Sequence, residues 1–130
     1  MRRVLFVCLE NAGRSQMAEA FANHLGKGKM VALSAGVMPA DRVNSVVVEV
    51  MMEKGIDISG NRPKLLTKNM AEGADLIVTM GCSVEEVCPA PLLGNVVDWG
   101  LEDPKGKPID EVRGIRDEIE RRVLQLVAGS

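Results

Sequence analysis

The chain has 130 residues, of which 46% are hydrophobic and 26% charged, and this is the composition of a folded globular protein rather than of a disordered one. The length predicts a single domain, residues 1–130, whose core needs neither a disulfide nor a structural metal. A formal net charge of -2, two Phe, one Trp and no Tyr provide little that would attract or stack on bases, which disfavours nucleic-acid binding.

The cellular compartment is predicted from the lack of a secretion signal and of a membrane-spanning run in the sequence. The first residues imitate a secretion signal, but the apolar run breaks at Glu10 and no small-residue cleavage site follows it. No apolar run approaches the length of a membrane span. We therefore expect a cytoplasmic protein, and a monomer, because no apolar stripe is left over once the helix faces are assigned. Three cysteines in a reducing compartment favour reactive thiols over a disulfide framework.

Strands and helices are predicted to alternate along the chain. Apolar runs bounded by turn residues predict strands, and apolar residues at spacings of three and four predict helices. The predicted elements are a strand at Val4–Val7, a helix from Arg14 to about Gly26, a strand at Met30–Leu33 that stops at Ser34–Gly36, a helix opened by Pro39 and Asp41 and closed at Gly55, a short helix at Lys68–Gly73, a strand at Asp75–Met80, a weaker strand at Asn95–Val97, and a final helix with the apolar stripe Val112, Ile115, Ile119, Val123 and Leu126. The pairs Asp117/Arg121 and Glu118/Arg122 are expected to support that final helix.

This alternation implies an α/β fold with a parallel sheet covered by helices on both faces. Ligands of such sheets bind outside the carboxyl ends of the strands. Cys8 and Cys82 both follow predicted strand ends, so a functional site is expected at that edge of the sheet.

The stretch between Cys8 and Arg14 predicts a tight anion-binding loop. Asn11 and Gly13 tolerate the positive φ that such a loop needs, and its opening onto a helix N-terminus directs several backbone N–H groups at one point. We therefore expect a pocket for a tetrahedral oxyanion, formed by Leu9, Glu10, Asn11, Ala12, Gly13 and Arg14. Glu10 should lie at the rim of the pocket, because an inward carboxylate would repel the anion.

Three side chains give this loop a predicted chemistry. Arg14 offers a planar fork of donors that matches two oxygens of an anion. The positive field of the helix N-terminus favours the thiolate form of Cys8, and the Ser15 hydroxyl is a candidate donor to the sulfur. The alternative is that Cys8 is a buried thiol ending a core strand and Arg14 a surface charge. The strand, the loop residues and the Arg14-Ser15 helix start together favour the nucleophile.

With these residues the chain resembles the low-molecular-weight tyrosine phosphatase superfamily, and within it most resembles the arsenate reductases coupled to a thiol reductant. The resemblance covers essentially the whole chain, through the segments Gly13–Glu19, Ser34–Gly36, Gly55–Ser59, Cys88–Pro89 and Asp98–Pro104. It implies a three-layer α/β fold with a four-stranded parallel sheet of order 2-1-3-4, in which the first and third strands are neighbours. No Cys/His cluster has the spacing of a metal site, and neither a cofactor nor a metal is expected.

The resemblance also implies a reaction. Cys8 would attack arsenate, with phosphate or sulfate as competing anions, and Asp103 would be the general acid that protonates the leaving oxygen. The alternative for Asp103 is a plain turn aspartate before Pro104. Cys82 would then attack Cys8 and release arsenite, and Cys88 would draw Cys82 into a second disulfide for thioredoxin or another thiol reductant. Cys82 is shifted by one place from the thioredoxin-linked members, so the order of exchange and the reductant stay open.

A support for the loop is implied in the same way. Asn11, Glu19 and Ser34 match three members of the family's potassium site, and Lys64 stands where an aspartate would complete it. An ammonium there would replace the ion and stabilise the strained Asn11 backbone, the alternative being a solvated Lys64. Arg62 and Lys64 are also expected near the pocket mouth, where they would attract anions.

Two other functions stay open at this point. The first is a phosphatase for phosphotyrosine or small phosphoesters. Two features argue against it: Lys105 follows Asp103-Pro104, and the chain has no tyrosine to form the wall of a slot for an aryl group. The second is a non-enzymatic redox sensor or oxyanion-binding module that uses the thiol pair as a switch.

Overall fold

Four parallel strands and four helices form the described part of the chain, residues 1–81 and 96–129 of a computed structural model. In chain order they are β1 (Arg2–Cys8), α1 (Arg14–Leu25), β2 (Met30–Gly36), α2 (Ser45–Met52), α3 (Lys68–Glu72), β3 (Leu76–Thr79), β4 (Val96–Asp98) and α4 (Ile109–Ala128). The strands lie in the order β2-β1-β3-β4. This confirms the α/β fold class and the sheet order that the resemblance implies.

β1 lies inside the sheet because its side chains are apolar on both faces. Every residue from Val4 to Cys8 is buried. The strand pairs with β2 over its whole length, which places Cys8 opposite Gly36, and with β3 so that Val7 lies opposite Thr79. The carboxyl ends of these three strands therefore meet at one edge, where ligands of parallel sheets bind.

Helices pack on both faces of the sheet. Successive residues of β1 point to opposite faces, so Phe6 joins the larger core cluster with α1, α2 and α4, whereas Leu5 joins a smaller cluster with Ala71 of α3. Phe6 and Phe21 are almost fully buried. Burial of one such side chain stabilises the fold by roughly 1.5–3 kcal/mol. The result is the predicted three-layer arrangement.

The predicted starts of two elements are wrong, whereas β2 ends at Gly36, within the predicted stop at Ser34–Gly36. β1 begins at Arg2 rather than at Val4. α2 begins at Ser45 rather than at Pro39 or Asp41.

The late start of α2 has a physical reason. Residues 37–44, which we call the bracing segment, use their backbone N–H groups elsewhere. Four of these groups donate to carbonyls of the predicted anion loop and its preceding cysteine: Val37 to Cys8, Met38 to Leu9, Ala40 to Glu10 and Asn44 to Ala12. Asn44 then caps the helix, since its side-chain oxygen accepts from Val46 N at 2.9 Å.

α4 buries three residues of the predicted stripe, namely Val112, Ile119 and Val123. The other two, Ile115 and Leu126, are only partly buried, and Arg116 and Val127 are buried instead. The Arg116 guanidinium donates to Val50 O in α2 and to Glu53 Oε1, so it joins the two helices. A buried arginine at this helix face was not predicted, because the apolar pattern places Ile115 there.

One of the two predicted ion pairs of α4 is present. Glu118 contacts Arg122 at 2.7 Å, as predicted, and also pairs with Arg121. The predicted Asp117–Arg121 pair is wrong, because Asp117 contacts Arg116 instead.

Some predictions fall on residues 82–95. Cys82, Cys88 and Asn95 lie outside the described residues, and β4 is described from Val96 onward. None of the helices in the described ranges combines the length and the apolar character needed to span a bilayer.

Candidate active site

Residues 9–13 form the predicted loop, here called the oxyanion loop, between β1 and α1. Asn11 has a φ of 52°, a left-handed conformation that asparagine tolerates better than most residues. Gly13 has a φ of -143°, so the prediction of a positive φ there was wrong. A glycine is needed at this position for space, because a Cβ would lie 2.8 Å from Pro104 Cγ.

Two backbone segments hold the oxyanion loop in place. Gly36 at the end of β2 lies so close that a Cβ there would be 2.8–2.9 Å from backbone atoms of Leu9, Glu10 and Asn11. The bracing segment lies alongside the loop and donates to its carbonyls. Because both contacts use backbone atoms, the shape of the loop depends little on its exposed side chains.

Cys8 Sγ lies at the floor of the oxyanion loop between two hydrogen-bond donors. Ser15 Oγ is 2.8 Å from the sulfur, and the backbone N–H of Asn11 donates to it at 3.2 Å. Cys8 itself is buried. Two donors directed at one sulfur stabilise a negative charge on it, which is the form that attacks an electrophile.

The Asn11 side chain orients the Ser15 hydroxyl. Lys64 N can only donate, and it donates to Asn11 Oδ1 at 2.9 Å, which fixes which end of the amide is the oxygen. Asn11 Nδ2 therefore faces Ser15 Oγ and donates to it at 2.7 Å. Ser15 accepts this bond and keeps its own proton for Cys8 Sγ. A chain of donors runs from Asn11 through Ser15 to Cys8.

Gln16 is a member of this network that the sequence analysis missed. It is fully buried, and its Nε2 donates to Asn11 Oδ1 at 3.0 Å, to Asn11 O at 3.2 Å and to Arg62 O at 3.3 Å. The signal for it was a polar residue on the buried side of α1, between Ser15 and Met17.

Arg14 joins the loop to two other segments of the chain. It is buried, and its Nη1 donates to Met80 O at 2.7 Å and to Leu101 O at 2.9 Å. Met80 directly follows β3, and Leu101 precedes Asp103 by two residues. The other terminal nitrogen, Nη2, lies 3.8 Å from Asp103 Oδ2 and is the edge of the guanidinium available to an anion.

The loop that carries Asp103 is anchored on both sides of this residue. The Trp99 ring packs against Phe6 with ring centroids 5.7 Å apart, and the backbone N–H of Trp99 donates to Thr79 O at 2.8 Å. Pro104 is buried against Gly13. The Asp103 side chain between these anchors is about half exposed, at 48%. Asp103 therefore lines the pocket and also contacts solvent.

The pocket above Cys8 is small. Its volume of about 210 Å³ lies below the roughly 300–1,000 Å³ of pockets for drug-sized ligands. Glu10 lies at its rim, where Oε2 is 3.3 Å from Lys105 Nζ, so the two charges balance. The lining residues are Cys8, Glu10, Ala12, Gly13, Arg14, Ala40, Arg42, Asn44, Asp103, Pro104 and Lys105.

The cations at the pocket differ from the predicted ones. Arg62 and Lys64 were expected at the mouth, but neither lines the pocket; Arg42 and Lys105 do. Arg42 was missed because it belongs to the bracing segment, which was predicted to be helical. The reason for its position is the backbone pairing of that segment with the oxyanion loop.

The predicted supporting residues contact one another, and Lys64 contacts Asn11 differently from the prediction. Ser34 Oγ donates to Glu19 Oε1 at 3.0 Å, and Lys64 Nζ lies 3.6 Å from the same oxygen. Lys64 contacts Asn11 through its backbone N–H. The ammonium therefore offsets the charge of Glu19, while the backbone of Lys64 holds the asparagine.

A cysteine at the floor of a loop of backbone amides, followed by an arginine at a helix N-terminus, defines a nucleophilic site for tetrahedral oxyanions. The family model for low molecular weight phosphotyrosine protein phosphatases matches residues 3–129. The chain belongs to this family.

Curated relatives of similar length carry more specific names. The chain is 43% identical over 126 residues to a putative arsenate reductase of Halobacterium salinarum, which covers 93% of this chain and 87% of that protein. It is 38% identical over 130 residues to the glutaredoxin arsenate reductase of Synechocystis, which covers 98% of both chains.

Solved structures show the same fold. An arsenate reductase in the phosphate binding state has a TM-score of 0.86 at 35% identity, covering 99% of this chain and 98% of that one. The Corynebacterium glutamicum thioredoxin-dependent arsenate reductase has a TM-score of 0.82 at 36% identity, covering 99% and 61%. A low molecular weight protein tyrosine phosphatase from T. tengcongensis has a TM-score of 0.88 at 31% identity, covering both chains fully.

Proposed function

We propose that this protein reduces arsenate to arsenite with Cys8 as the nucleophile, and that phosphate and sulfate compete for its pocket. The observation that carries the proposal is Cys8 Sγ at the floor of the oxyanion loop, 2.8 Å from Ser15 Oγ and 3.2 Å from Asn11 N. Two further observations favour reduction over hydrolysis: the names of the relatives, and the presence of Cys82 and Cys88, which hydrolysis would not need.

The anion would bind above Cys8. Backbone N–H groups of the oxyanion loop and the N-terminus of α1 attract its oxygens. Arg14 Nη2 is the side-chain donor available to it, since Nη1 already donates to Met80 and Leu101. The small volume of the pocket suits an inorganic anion.

In the first step the Cys8 thiolate attacks arsenic. A sulfur–arsenic bond forms and an arsenic–oxygen bond breaks. Asp103 donates a proton to the leaving hydroxyl, which departs as water. Its half-exposed carboxyl, 3.8 Å from Arg14 Nη2, is close to the anion and is reprotonated from solvent.

The next step transfers two electrons from sulfur to arsenic. The Cys82 thiolate attacks Cys8 Sγ, a disulfide forms, the sulfur–arsenic bond breaks, and its electron pair stays on arsenic, which leaves as arsenite. The chain order supports this step, because Cys82 follows the last residue of β3, Thr79, by three positions, and β3 is hydrogen-bonded to the strand that ends at Cys8.

The last step regenerates the enzyme. The Cys88 thiolate attacks Cys82 and releases Cys8 as a thiolate, and the Cys82–Cys88 disulfide is reduced by two thiols of a partner protein. The names of the relatives include both a glutaredoxin-linked and a thioredoxin-dependent reductase, and these are the two reductant classes to test.

Hydrolysis of phosphate monoesters is the second candidate, favoured by the family and by the T. tengcongensis phosphatase. Water would then attack a phospho-Cys8. The Glu10–Lys105 ion pair at the pocket mouth argues against an aryl ester as the substrate. A charged rim does not provide the apolar wall against which an aromatic ring packs.

The test is anaerobic arsenate turnover by the wild type, Cys82→Ser and Cys88→Ser, with thioredoxin and, separately, with glutaredoxin plus glutathione. Free thiols are counted after one turnover. We expect arsenite from the wild type with at least one reductant, and a single turnover or less from each variant. Cys8→Ser is the control that should form no adduct.

The opposite result would replace the proposal. If the wild type reduces no arsenate with either reductant, hydrolyses a phenyl phosphate ester, and does so equally well in both serine variants, the protein is a phosphatase.

A further inference from the structure

The charges around the pocket are balanced except at Arg42. Glu10 and Lys105 pair across the rim at 3.3 Å, and Asp103 lies 3.8 Å from Arg14 Nη2. Arg42 also lines the pocket, and within the described residues no carboxylate pairs with it. Its guanidinium is therefore the cation at this site whose charge is left for a ligand.

The backbone around Arg42 is fixed to the oxyanion loop. Two residues before it, Ala40 N donates to Glu10 O at 3.0 Å, and two residues after it, Asn44 N donates to Ala12 O at 2.9 Å. The next residue, Val43, is buried in the core. Arg42 is thus an exposed side chain on a short, doubly anchored segment beside the pocket, which restricts where its guanidinium can reach.

A second cation matches the charge of the proposed substrate. A phosphate or arsenate ion carries about 1.5 to 2 negative charges at neutral pH, which is more than the single charge of Arg14 offsets. Arg14 is partly balanced by Asp103 and donates Nη1 to two carbonyls.

We propose that Arg42 is a second anion-binding guanidinium of this pocket, which sets the affinity for doubly charged tetrahedral oxyanions. Naming arsenate as the physiological ligand depends on the proposed function; the binding of such an anion depends only on the pocket. Because Arg42 is at the rim, it acts on capture of the anion rather than on the bonds formed at Cys8.

The test is calorimetric binding of inorganic phosphate to the wild type, Arg42→Gln, Arg42→Lys and Lys27→Gln. Lys27 is the matched control: Lys27→Gln removes the same charge, but Lys27 lies beyond the far end of the 12-residue α1, about 18 Å along its axis from the site. Arg42→Gln should raise the Kd about fivefold at low salt, as expected for an exposed charge pair. Arg42→Lys should stay within about twofold of the wild type, because it keeps the charge.

Salt and kinetics give two independent readouts. The difference between the wild type and Arg42→Gln should shrink below about twofold in 1 M salt, where charges are screened beyond about 3 Å. In arsenate turnover, Arg42→Gln should raise KM with kcat unchanged.

Equal phosphate binding by Arg42→Gln and the wild type at low salt would overturn the inference, and so would equal weakening by Lys27→Gln, since the effect would then be one of net charge. If the wild type binds phosphate through Arg42 but reduces no arsenate, the proposed function fails and the anion-binding role of Arg42 stands.

Discussion

The donor chain from Asn11 through Ser15 to Cys8 allows a sharp test with Asn11→Asp. This change keeps the size of the side chain and the oxygen that accepts from Lys64 N and Gln16 Nε2. It replaces Nδ2, the group that donates to Ser15 Oγ, by an oxygen. The Ser15 proton is then drawn toward the new carboxylate and away from the sulfur.

The size of the repulsion between the new carboxylate and a negative charge on Cys8 Sγ follows from two distances. The contacts through Ser15 Oγ measure 2.8 Å to Cys8 Sγ and 2.7 Å to Asn11 Nδ2, so the new charge lies no more than about 5.5 Å from the sulfur. At that separation and an effective dielectric constant of about 20, two like charges repel by about 3 kcal/mol. An energy of that size corresponds to about a hundredfold slower alkylation of Cys8.

The assay is the rate of Cys8 alkylation by iodoacetamide at pH 7, with arsenate turnover measured in parallel. Asn23→Asp is the matched control, because Asn23 also donates through Nδ2 and accepts a backbone N–H through Oδ1, both with Ala32, and it has no contact with Cys8. The control should alkylate like the wild type. A folded Asn11→Asp protein that alkylates within threefold of the wild type would refute the donor chain.

Three other predictions concern the loop, the acid and the fold. Gly36→Ala should lower the free energy of unfolding by about 3 kcal/mol, because the new Cβ would meet backbone of the oxyanion loop, whereas Gly60→Ala, with open space around it, should change it by less than about 0.5 kcal/mol in a denaturant titration. Asp103→Asn should slow the single-turnover loss of a free thiol on arsenate addition by about a hundredfold or more while phosphate still binds; an unchanged rate would exclude it as the acid. The hydrogen bond from Arg113 holds the pKa of Glu53 at about 2, below its ordinary 4.5, so the stability it contributes is complete above pH 4.5 and is lost as the pH falls toward 2. Denaturant midpoints between pH 5 and 2 should fall less steeply in Glu53→Gln, and parallel slopes would contradict the assignment.

Local sequence patterns predicted the elements that carry the chemistry. The apolar run that becomes β1, the turn residues after it and the Arg14-Ser15 helix start lie within about a dozen residues of each other, and such patterns depend on neighbours along the chain. They located Cys8 at a strand end and the oxyanion loop before α1. The resemblance supplied the sheet order and the pairing of Asp103 with the loop.

Contacts between residues distant in the chain could not be predicted in this way. Pro39 and Asp41 suggested a helix start, but backbone N–H groups of the bracing segment pair with Cys8 and the oxyanion loop, so tertiary hydrogen bonds overrode the local pattern. The same applies to Arg116, whose burial is set by acceptors on and just after α2, more than 60 residues away.

The sequence by itself therefore determined the α/β fold, the position of Cys8 at a strand end and the loop that follows it, because these follow from periodicity and from a short contiguous motif. The tertiary structure decided which charges surround that pocket. Lys64 holds Asn11 through its backbone N–H, Glu10 is balanced by Lys105, and Arg42 lines the pocket. These positions depend on how distant segments pack together, and charge balance at a site is a property of that packing.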